Sequence, residues 1–277
     1  MKIIVSKHSG FCFGVKRAVS LTKNKLKNVK KIRSLGPLIH NKWVVSELSR
    51  SGLRVIKDLK KAKDGYCVVL PSHGVDAGRV KNRGGLTFVD TTCPFVFKAQ
   101  TLIKKLAGSG YEILILGDKN HPEVKGLVGI SNGKARVIAS EREASSYKPR
   151  GKRIAFVSQT TQSVDNFVKV SSLLLQKDFK EFLIYNTICN DVIDRQQEAR
   201  QIANKVDVML VIGGKNSANT KRLANVCGKI TKTYHIEDEK EINNKWFKKS
   251  GKVGIVTGAS TPGEFIEKVR NKIRTAI

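Results

Sequence analysis

The sequence is short of acidic residues, and this shortage decides which partners it can attract. Asp and Glu total 23 against 52 Lys and Arg, which gives a formal net charge of +29 at pH 7. A field of that sign attracts phosphates, nucleic acid and acidic proteins. The basic residues are spread along the whole chain, without a zinc finger, a basic arm or an aromatic–basic platform. Nucleic-acid binding is therefore not the expected primary function.

Long apolar runs are also missing. The longest, such as Ile113–Leu116 and Val208–Ile212, have the length of strands and fall far short of the ~20 residues that span a bilayer. The apolar stretch in Met1–Val5 is too short for a signal peptide. We therefore expect a cytoplasmic protein without membrane contact, whose 277 residues suffice for a substantial hydrophobic core.

Cysteines are few, and no two of the five form a CxxC pair. Disulfides are rare in cytoplasmic proteins, so a functional cysteine is expected to be a metal ligand or a nucleophile. Cys67 and Cys227 stand within or beside apolar segments and are interpreted as core residues. The other three are distinguished by their spacing.

Those three cysteines each open a repeated pattern. A glycine follows 24 residues after each cysteine, and a His or Ser lies four residues beyond the glycine. Apolar residues such as Val15, Ala18 and Leu21 follow the first cysteine at helical spacing, and an apolar run precedes the glycine, weakly in the first copy (Ile32–Leu35) and clearly in the other two. Each copy therefore predicts cysteine, helix, strand and glycine turn in that order. The positions are Cys12, Gly36 and His40, then Cys93, Gly117 and His121, then Cys189, Gly213 and Ser217.

Each copy also contains a second apolar run that ends in polar residues. His73 follows the first of these runs, Thr160 the second and Ser260 the third. Side chains just after parallel strands lie at the sheet edge where open α/β folds bind ligands. A further strand-like segment precedes Cys93 and another precedes Cys189. The third copy ends without one, so we predict that Lys2–Val5 takes its place.

This pattern predicts an α/β trefoil of three lobes related by a pseudo-threefold axis. The lobes would span residues 13–93, 94–188 and 189–277, with the N-terminal strand segment 1–12 packed on the third. The three repeat cysteines would converge near the axis. The alternative is a coincidence of spacing in an ordinary α/β protein with buried cysteines.

Three converging thiolates select zinc or an iron–sulfur cluster. Structural zinc usually takes four ligands with paired, local spacing, whereas these cysteines stand 81 and 96 residues apart. A cubane cluster suits such spacing because each corner iron needs one thiolate. Three ligands for four irons leave one iron open to a substrate, so we favour a catalytic cluster. A three-cysteine zinc site in a hydrolase is the alternative.

The polar residues at the predicted sheet edges are suited to hold a phosphate. Hydroxyl, amide and imidazole groups at loop and helix starts bind phosphate without burying many charges. Glu123 adds an acid, and a carboxyl group beside a bound anion is a candidate proton donor because its ionised form is disfavoured. The candidate anion ligands are His40, His73, His121, Thr160, Ser217, Asn219 and Ser260.

The motifs that contain these residues resemble a known family across essentially the whole chain. They resemble, in order, those of the 4-hydroxy-3-methylbut-2-enyl diphosphate reductases, also called the LytB family. The matching segments are Gly10–Val15, Ile39–Asn41, Ser72–Val75, Asp90–Pro94, His121–Val124, Gln159–Thr161, Cys189, Arg195–Ala199, Gly214–Asn219 and Thr257–Pro262.

The resemblance implies a trefoil of three α/β domains around one central 4Fe–4S cluster, with Cys12, Cys93 and Cys189 as ligands and the fourth iron open. It implies reductive removal of the allylic hydroxyl from (E)-4-hydroxy-3-methylbut-2-enyl diphosphate. The products would be isopentenyl and dimethylallyl diphosphate, in the last step of the methylerythritol phosphate route to isoprenoids. The implied catalytic residues are Glu123, which would feed protons, with Thr160 and His121. The implied diphosphate ligands are His40, His73, His121, Ser217, Asn219 and Ser260, with Thr160 beside the substrate hydroxyl.

The resemblance also implies a small acidic electron donor of the ferredoxin or flavodoxin type, and we expect a monomer. Ala218 stands where members of the family often carry serine, so its backbone amide rather than a hydroxyl would face the phosphate. A non-catalytic iron–sulfur or nucleic-acid-binding regulator on the same fold is the alternative function. Retention of Glu123 and Thr160 favours the enzyme, because a regulator needs no proton relay.

Overall fold

The computed structural model describes residues 1–76, 78, 80, 84–248 and 250–275. The strands of this part of the chain are β1 Lys2–Val5, β2 Ile32–Leu35, β3 Arg54–Ile56, β4 Cys67–Leu70, β5 Thr87–Asp90, β6 Glu112–Leu116, β7 Ala135–Ile138, β8 Arg153–Ser158, β9 Glu181–Ile184, β10 Val208–Ile212, β11 Lys232–Ile236 and β12 Lys252–Thr257. The α-helices are α1 Phe13–Asn28, α2 Lys42–Arg50, α3 Pro94–Gly108, α4 Pro122–Ile130, α5 Glu141–Ser145, α6 Val164–Leu175, α7 Asn190–Ala203, α8 Ala218–Gly228 and α9 Glu264–Arg274.

The strands form three four-stranded parallel sheets with one common topology. Their orders are β3-β2-β4-β5, β7-β6-β8-β9 and β11-β10-β12-β1. In the third sheet β1 pairs with β12, from Lys2 opposite Lys252 to Val5 opposite Ile255, and so takes the edge that β5 and β9 take in the others. The α/β class, the three sheets and the placement of the N-terminal strand are thus confirmed. Their arrangement around a common axis stays a prediction.

The inner strands are buried along almost their whole length. In the chain, a helix precedes and a helix follows strands such as β6 and β10. All five residues of β10 are buried, as are four of the five in β6. Strands covered on both faces are expected to be continuous runs of Val, Ile and Leu rather than alternating sequences. The same runs made these strands readable from the sequence.

One strand of each sheet was not predicted, and it is the same strand in all three. β3, β7 and β11 occupy the outer edge next to β2, β6 and β10. Their residues are mostly exposed or half-buried, as an edge strand allows. Unlike the edge strands β5 and β9 on the other side, each carries a basic residue or histidine next to its apolar residues, namely Arg54, Arg136 and His235. Leu21, which the helical spacing groups with Val15 and Ala18, is 36% exposed, whereas Val15 and Ala18 are buried.

The chain forms two compact units. The first, here the terminal unit, comprises residues 1–16, 39–47 and 190–277 and contains the sheet completed by β1. The second, here the central unit, comprises residues 17–38 and 48–189 and contains the other two sheets. Within the described residues, no helix combines the length and apolar character needed to cross a membrane.

The lobe boundaries given above stay predictions. Each predicted lobe contains strands of one sheet, and the segment 1–12 contributes β1 to the third. Ala276 and Ile277, which end the third predicted lobe, lie outside the described residues.

The packing of β12 against α7 generates a test of the core. A Cβ atom on Gly254 would lie 2.2 Å from the Met209 sulfur and 2.7 Å from Ile202 Cγ2. Added methyl groups in a packed core cost roughly 1–3 kcal/mol, so Gly254→Ala should lower the melting temperature by roughly 2–10 °C. Gly108→Ala, at a site with nothing within 4 Å of the new Cβ, is the matched control. Thermal unfolding of both variants by circular dichroism checks this, and equal melting temperatures would contradict it.

Candidate functional site

The three repeat cysteines directly precede helices. Cys12 precedes α1, Cys93 precedes α3 and Cys189 precedes α7, each after a strand at the equivalent sheet edge. The predicted order of cysteine, helix, strand and glycine is therefore confirmed in all three copies. The first N–H groups of a helix lack partners within the helix and carry partial positive charge. They stabilise a thiolate that lies at the helix N-terminus.

The surroundings of two sulfur atoms show this effect directly. The Val15 N–H donates to Cys12 Sγ over 3.4 Å. Burial raises the pKa of the Cys93 thiol, and hydrogen bonds from the N–H groups of Phe95 and Val96 act against that rise. By contrast, Cys67 and Cys227 are 3% and 0% exposed, which confirms both as core residues. Burial raises the pKa of Cys227 to about 12.

A backbone hydrogen bond ties each repeat cysteine to the loop that carries a predicted ligand of the anion. The Cys189 N–H donates to the Thr160 carbonyl over 2.9 Å. The Cys93 N–H donates to Ser72, the neighbour of His73, over 2.8 Å. The Cys12 N–H donates to Ala259, the neighbour of Ser260, over 3.0 Å. The chain thus links each candidate metal ligand to a candidate substrate loop within the same unit.

In the central unit, Glu123 and Thr160 form a buried hydrogen-bonded pair. Glu123 is 2% exposed and Thr160 is 4% exposed. The Thr160 N–H donates to Glu123 Oε1 over 2.6 Å, and the Thr160 hydroxyl donates to Oε2 over 2.9 Å. A hydroxyl can also accept a hydrogen bond, so a protonated Glu123 could donate to Thr160 Oγ1 instead. This geometry allows a proton to pass between the two side chains.

The imidazole rings of His73 and His121 lie close by, with their centroids 6.4 Å apart. The His121 Nδ1 atom accepts from the Glu123 N–H over 3.2 Å, so the neutral ring carries its hydrogen on Nε2. The His73 Nδ1 atom lies 2.9 Å from the Gly74 carbonyl and must be the donor there. Neutral His121 thus presents an N–H donor, whereas His73 presents one at Nε2 when it is protonated.

Two local features place these side chains. His121 is the N-cap of α4, and Pro122 occupies the first helical position, where its fixed φ suits the helix. Glycines on α4 let the helix approach the loop after β4. A Cβ on Gly126 would lie 3.4 Å from the Val75 carbonyl oxygen, so this face of the helix lies against the backbone of the loop that contains His73.

In the terminal unit, His40 lies against the loops that follow β10 and β12. The Ser260 hydroxyl donates to the His40 carbonyl over 3.3 Å. Gly214 packs against the same carbonyl, because a Cβ there would lie 2.6 Å from it. Burial lowers the pKa of His40 below its usual value. The neutral form of the His40 ring is therefore favoured at neutral pH.

The start of α8 adds two further predicted ligands. Ser217 is the N-cap, and its hydroxyl accepts from the Thr220 N–H over 3.3 Å. Asn219 is 5% exposed, and neither its amide nitrogen nor its amide oxygen has a hydrogen-bond partner among the described residues. A buried polar group without a partner costs about 1–3 kcal/mol. With the positive helix N-terminus beside it, this position fits an anionic ligand.

The predicted residues are thus divided between the two units. The central unit contains Cys93, Cys189, His73, His121, Glu123 and Thr160, and the terminal unit contains Cys12, His40, Ser217, Asn219 and Ser260. Their union into one site stays a prediction. Within the described residues, no three His, Cys, Asp or Glu side chains are grouped to hold a single metal ion.

Comparison with known proteins decides the family. The family model described as LytB protein matches residues 3–274. The 4-hydroxy-3-methylbut-2-enyl diphosphate reductase of Geobacter metallireducens is 46% identical over 277 residues, which cover 99% of this chain and 97% of that protein. The enzyme of that name from Geotalea uraniireducens is 44% identical over 276 residues, or 99% and 97% of the two chains. This chain belongs to the LytB family.

Two solved structures resemble this LytB chain. The structure of an (E)-4-hydroxy-3-methyl-but-2-enyl diphosphate reductase, the terminal enzyme of the non-mevalonate pathway, is 38% identical, with a TM-score of 0.69, and covers 99% of this chain and 100% of the other. The E-1-hydroxy-2-methyl-but-2-enyl-4-diphosphate reductase from Plasmodium falciparum is 25% identical, with a TM-score of 0.92, and covers 98% and 87%. The predicted family is confirmed.

Three polar residues of this LytB chain gained a role only from the structure. Asn41, the neighbour of His40, caps α2 by accepting from the Val44 N–H over 3.1 Å. Arg195 and Glu198 on α7 bind the loop that leads to Cys12. Burial alone would raise the pKa of Glu198, but hydrogen bonds from this loop outweigh it and hold the pKa below its usual value. The motif Arg195–Ala199 marked Arg195 and Glu198 as important in the sequence, but it did not reveal which residues they contact.

The contact between Gly214 and His40 generates a test. Gly214→Ala must displace the His40 carbonyl and, with it, Ser260, so we expect binding of inorganic diphosphate to weaken about tenfold, or roughly 1.4 kcal/mol. Gly228→Ala at the other end of α8, where nothing lies within 4 Å of the new Cβ, should bind as the parent protein does. Calorimetric titration of the full chain measures both. Equal affinities in the two variants would remove the role assigned to this contact.

Proposed function

We propose that this chain is a 4-hydroxy-3-methylbut-2-enyl diphosphate reductase. The reaction breaks the allylic C–O bond of the substrate with two electrons and two protons, and it yields water and an isopentenyl or dimethylallyl diphosphate. One proton leaves with the hydroxyl oxygen as water, and the other forms the new C–H bond. An enzyme for this reaction needs an electron source, a proton donor and an anion site, and family membership supports all three.

The observation that carries the proposal is the buried Glu123–Thr160 pair with its link to Cys189. Glu123 would supply protons, and Thr160 would pass them to the substrate oxygen, since its hydroxyl can accept from one side and donate to the other. The Thr160 carbonyl accepts the Cys189 N–H. The proton path and a candidate metal ligand are therefore fixed by the same residue.

The chemistry of the cysteines fits a 4Fe–4S cluster. Each stands at a helix N-terminus, which favours the thiolate that iron requires. Cys12, Cys93 and Cys189 would hold three irons, and each iron takes its own thiolate, so the ligands need not surround one point as they do for zinc. When bound, the cluster would supply single electrons and a Lewis-acidic iron without a protein ligand.

Each unit supplies proposed ligands of the diphosphate. His121 offers the N–H donor described above, and a protonated His73 would offer another beside it. Asn219 offers its buried amide, and the N-terminus of α8 offers the backbone amide of Ala218. Ser217, Ser260 and His40 complete the proposed set. Most of these groups are neutral, so an anion can be exchanged without burying a permanent cation.

The proposed electron donor is a small acidic protein of the ferredoxin or flavodoxin type, acting on a monomer. The net charge of +29 would speed its diffusional encounter, and the rate should fall as salt is added.

Cysteine variants separate the cluster ligands from the core thiols. Anaerobic preparations of Cys12→Ala, Cys93→Ala and Cys189→Ala should each lose most of the bound iron and sulfide, because one thiolate is missing. Cys67→Ala and Cys227→Ala, at buried positions, should keep the iron content of the parent chain. Absorption spectra with iron and sulfide counts test this. Normal cluster content in any of the first three variants would remove that ligand, and stoichiometric zinc in the parent protein would favour the hydrolase alternative.

The Glu123→Gln variant tests the proton donor. Gln keeps the size and an acceptor oxygen for the Thr160 N–H but cannot release a proton, so kcat should fall roughly 10²–10⁴-fold. Cluster content and diphosphate affinity should stay within about threefold, since neither depends on the acid. The control is Glu141→Gln, whose side chain is 54% exposed. Full turnover in Glu123→Gln would end the assignment, whereas a parent protein with a complete cluster and no turnover would favour a regulator.

A further inference from the structure

One face of α7 is dedicated to the segment between β1 and α1, here the Cys12 loop (residues 6–12). Asp191, Arg195 and Glu198 follow one another at spacings of four and three residues, so they share this face of the helix. All the groups involved belong to the terminal unit. α7 itself begins at Asn190, the residue after Cys189.

Glu198 binds the first half of the loop with both carboxylate oxygens. The Ser6 hydroxyl donates to Oε2 over 2.5 Å, and the His8 N–H donates to the same oxygen over 3.0 Å. The Lys7 N–H donates to Oε1 over 2.7 Å. Three consecutive residues are therefore held by one side chain. Hydrogen bonds to an ionised acceptor are about twice as strong as neutral ones.

Arg195 binds the second half of the loop, although it is 3% exposed. Its Nη2 atom donates to the Gly10 carbonyl over 3.0 Å, and its Nη1 atom donates to the Thr257 carbonyl over 3.2 Å. Asp191 balances the charge, with Oδ2 2.6 Å from Nε. Burying a guanidinium is costly unless it is paired and fully hydrogen-bonded. With these partners, the buried Arg195 guanidinium fixes the position of the loop at Gly10.

The end of the loop is fixed as well. The Gly10 N–H donates to Thr257 Oγ1 over 2.8 Å, with Gly10 at a φ of +89°, which favours glycine. The Cys12 N–H donates to the Ala259 carbonyl. Gly10, two residues before Cys12, is therefore held at both of its backbone polar groups. Arg195 binds its carbonyl, and Thr257 binds its N–H.

The same device recurs in another copy of the repeat. Arg17 lies on α1, the helix that follows Cys12, and its Nη1 atom donates over 3.1 Å to the carbonyl of Thr92, the residue before Cys93. In both copies an arginine on the helix after one repeat cysteine holds the loop that leads to another. The recurrence indicates that the contact serves the cysteines rather than the packing of one sheet.

We propose that Arg195 and Glu198 are positioning residues that hold the Cys12 loop in its ligating conformation before the cluster binds. This inference rests on the proposed function, because it takes Cys12 as an iron ligand. Pre-organisation reduces the ordering that cluster binding must otherwise drive. Without the contacts of Arg195 and Glu198 with this loop, the Cys12 thiolate should bind its iron less tightly and in altered geometry.

The test compares Arg195→Lys and Glu198→Gln with Asp194→Asn, an exposed position on the same helix. In Arg195→Lys, the single ammonium group cannot bind the Gly10 and Thr257 carbonyls and Asp191 together. In Glu198→Gln, the amide nitrogen is a donor where the loop needs an acceptor. Amide hydrogen exchange of the anaerobically purified full chain should be at least tenfold faster in residues 6–12 of both variants. Exchange elsewhere should change little, and so should the melting temperature of Glu198→Gln. Arg195→Lys should melt at a lower temperature because it breaks a buried ion pair, so Glu198→Gln separates the positioning role from a loss of stability. The control should match the parent protein.

Two readouts of the cluster complete the experiment. Iron loss to a chelator should be at least fivefold faster in both variants, and the electron paramagnetic resonance spectrum of the reduced cluster should shift. Faster exchange with unchanged iron loss and spectrum would overturn the positioning role, as would unchanged exchange in residues 6–12. If the parent protein binds no cluster, the proposed function fails separately. The comparison of amide exchange in residues 6–12 between the variants and the parent protein then shows whether Arg195 and Glu198 hold the Cys12 loop.

Discussion

Parallel pairing in all three sheets determines where the chemistry of this chain can take place. Four parallel strands end at one edge of their sheet, and the residues proposed to bind iron or substrate lie in the loops that leave this edge or, like Asn219, in the first turn of the helix that follows. The pairing of β1 with β12 matters most, because it brings Cys12 beside Ala259 and thus beside Ser260. An N-terminal strand in any other position would leave the third sheet without its edge strand and Cys12 without a fixed place.

Several polar groups near these edges are buried, and hydrogen bonds within the protein satisfy Glu123 and Arg195. Glu123 has two donors from Thr160, and the Arg195 guanidinium has two carbonyls and a carboxylate. Asn219 is different, because both polar atoms of its amide are buried without a partner in the described part of the chain. An unsatisfied buried amide calls for an explanation, and donation from Asn219 Nδ2 to the proposed diphosphate would supply one.

The repeat made much of this readable from sequence, because it depends on local signals. Glycine turns and helix starts recur at fixed offsets from Cys12, Cys93 and Cys189, with a strand before each glycine that is strongly apolar in the second and third copies. The edge strands β3, β7 and β11 escaped detection because Arg54, Arg136 and His235 interrupt or adjoin their few apolar residues, which weakens the apolar signal on which strand prediction depends. The contact of Glu198 with Ser6 joins residues 192 positions apart, and no local pattern can encode such a pair. The Gly214–His40 contact was hidden for the same reason.

Proton and electron delivery must meet at one carbon–oxygen bond, and the link between β8 and β9 shows how this chain could align them. Beyond the paired strands, the Ser158 N–H donates to Thr187 Oγ1 over 2.8 Å, and the Thr187 hydroxyl donates back to the Ser158 carbonyl over 2.6 Å. The Cys189 N–H then donates to Thr160 over 2.9 Å. Side-chain and backbone bonds thus extend the ladder past the sheet edge, to the residue that would orient the proton and the residue that would hold an iron. Because both are fixed by one continuous set of hydrogen bonds, a shift of either would move the other, and the two deliveries would stay in register.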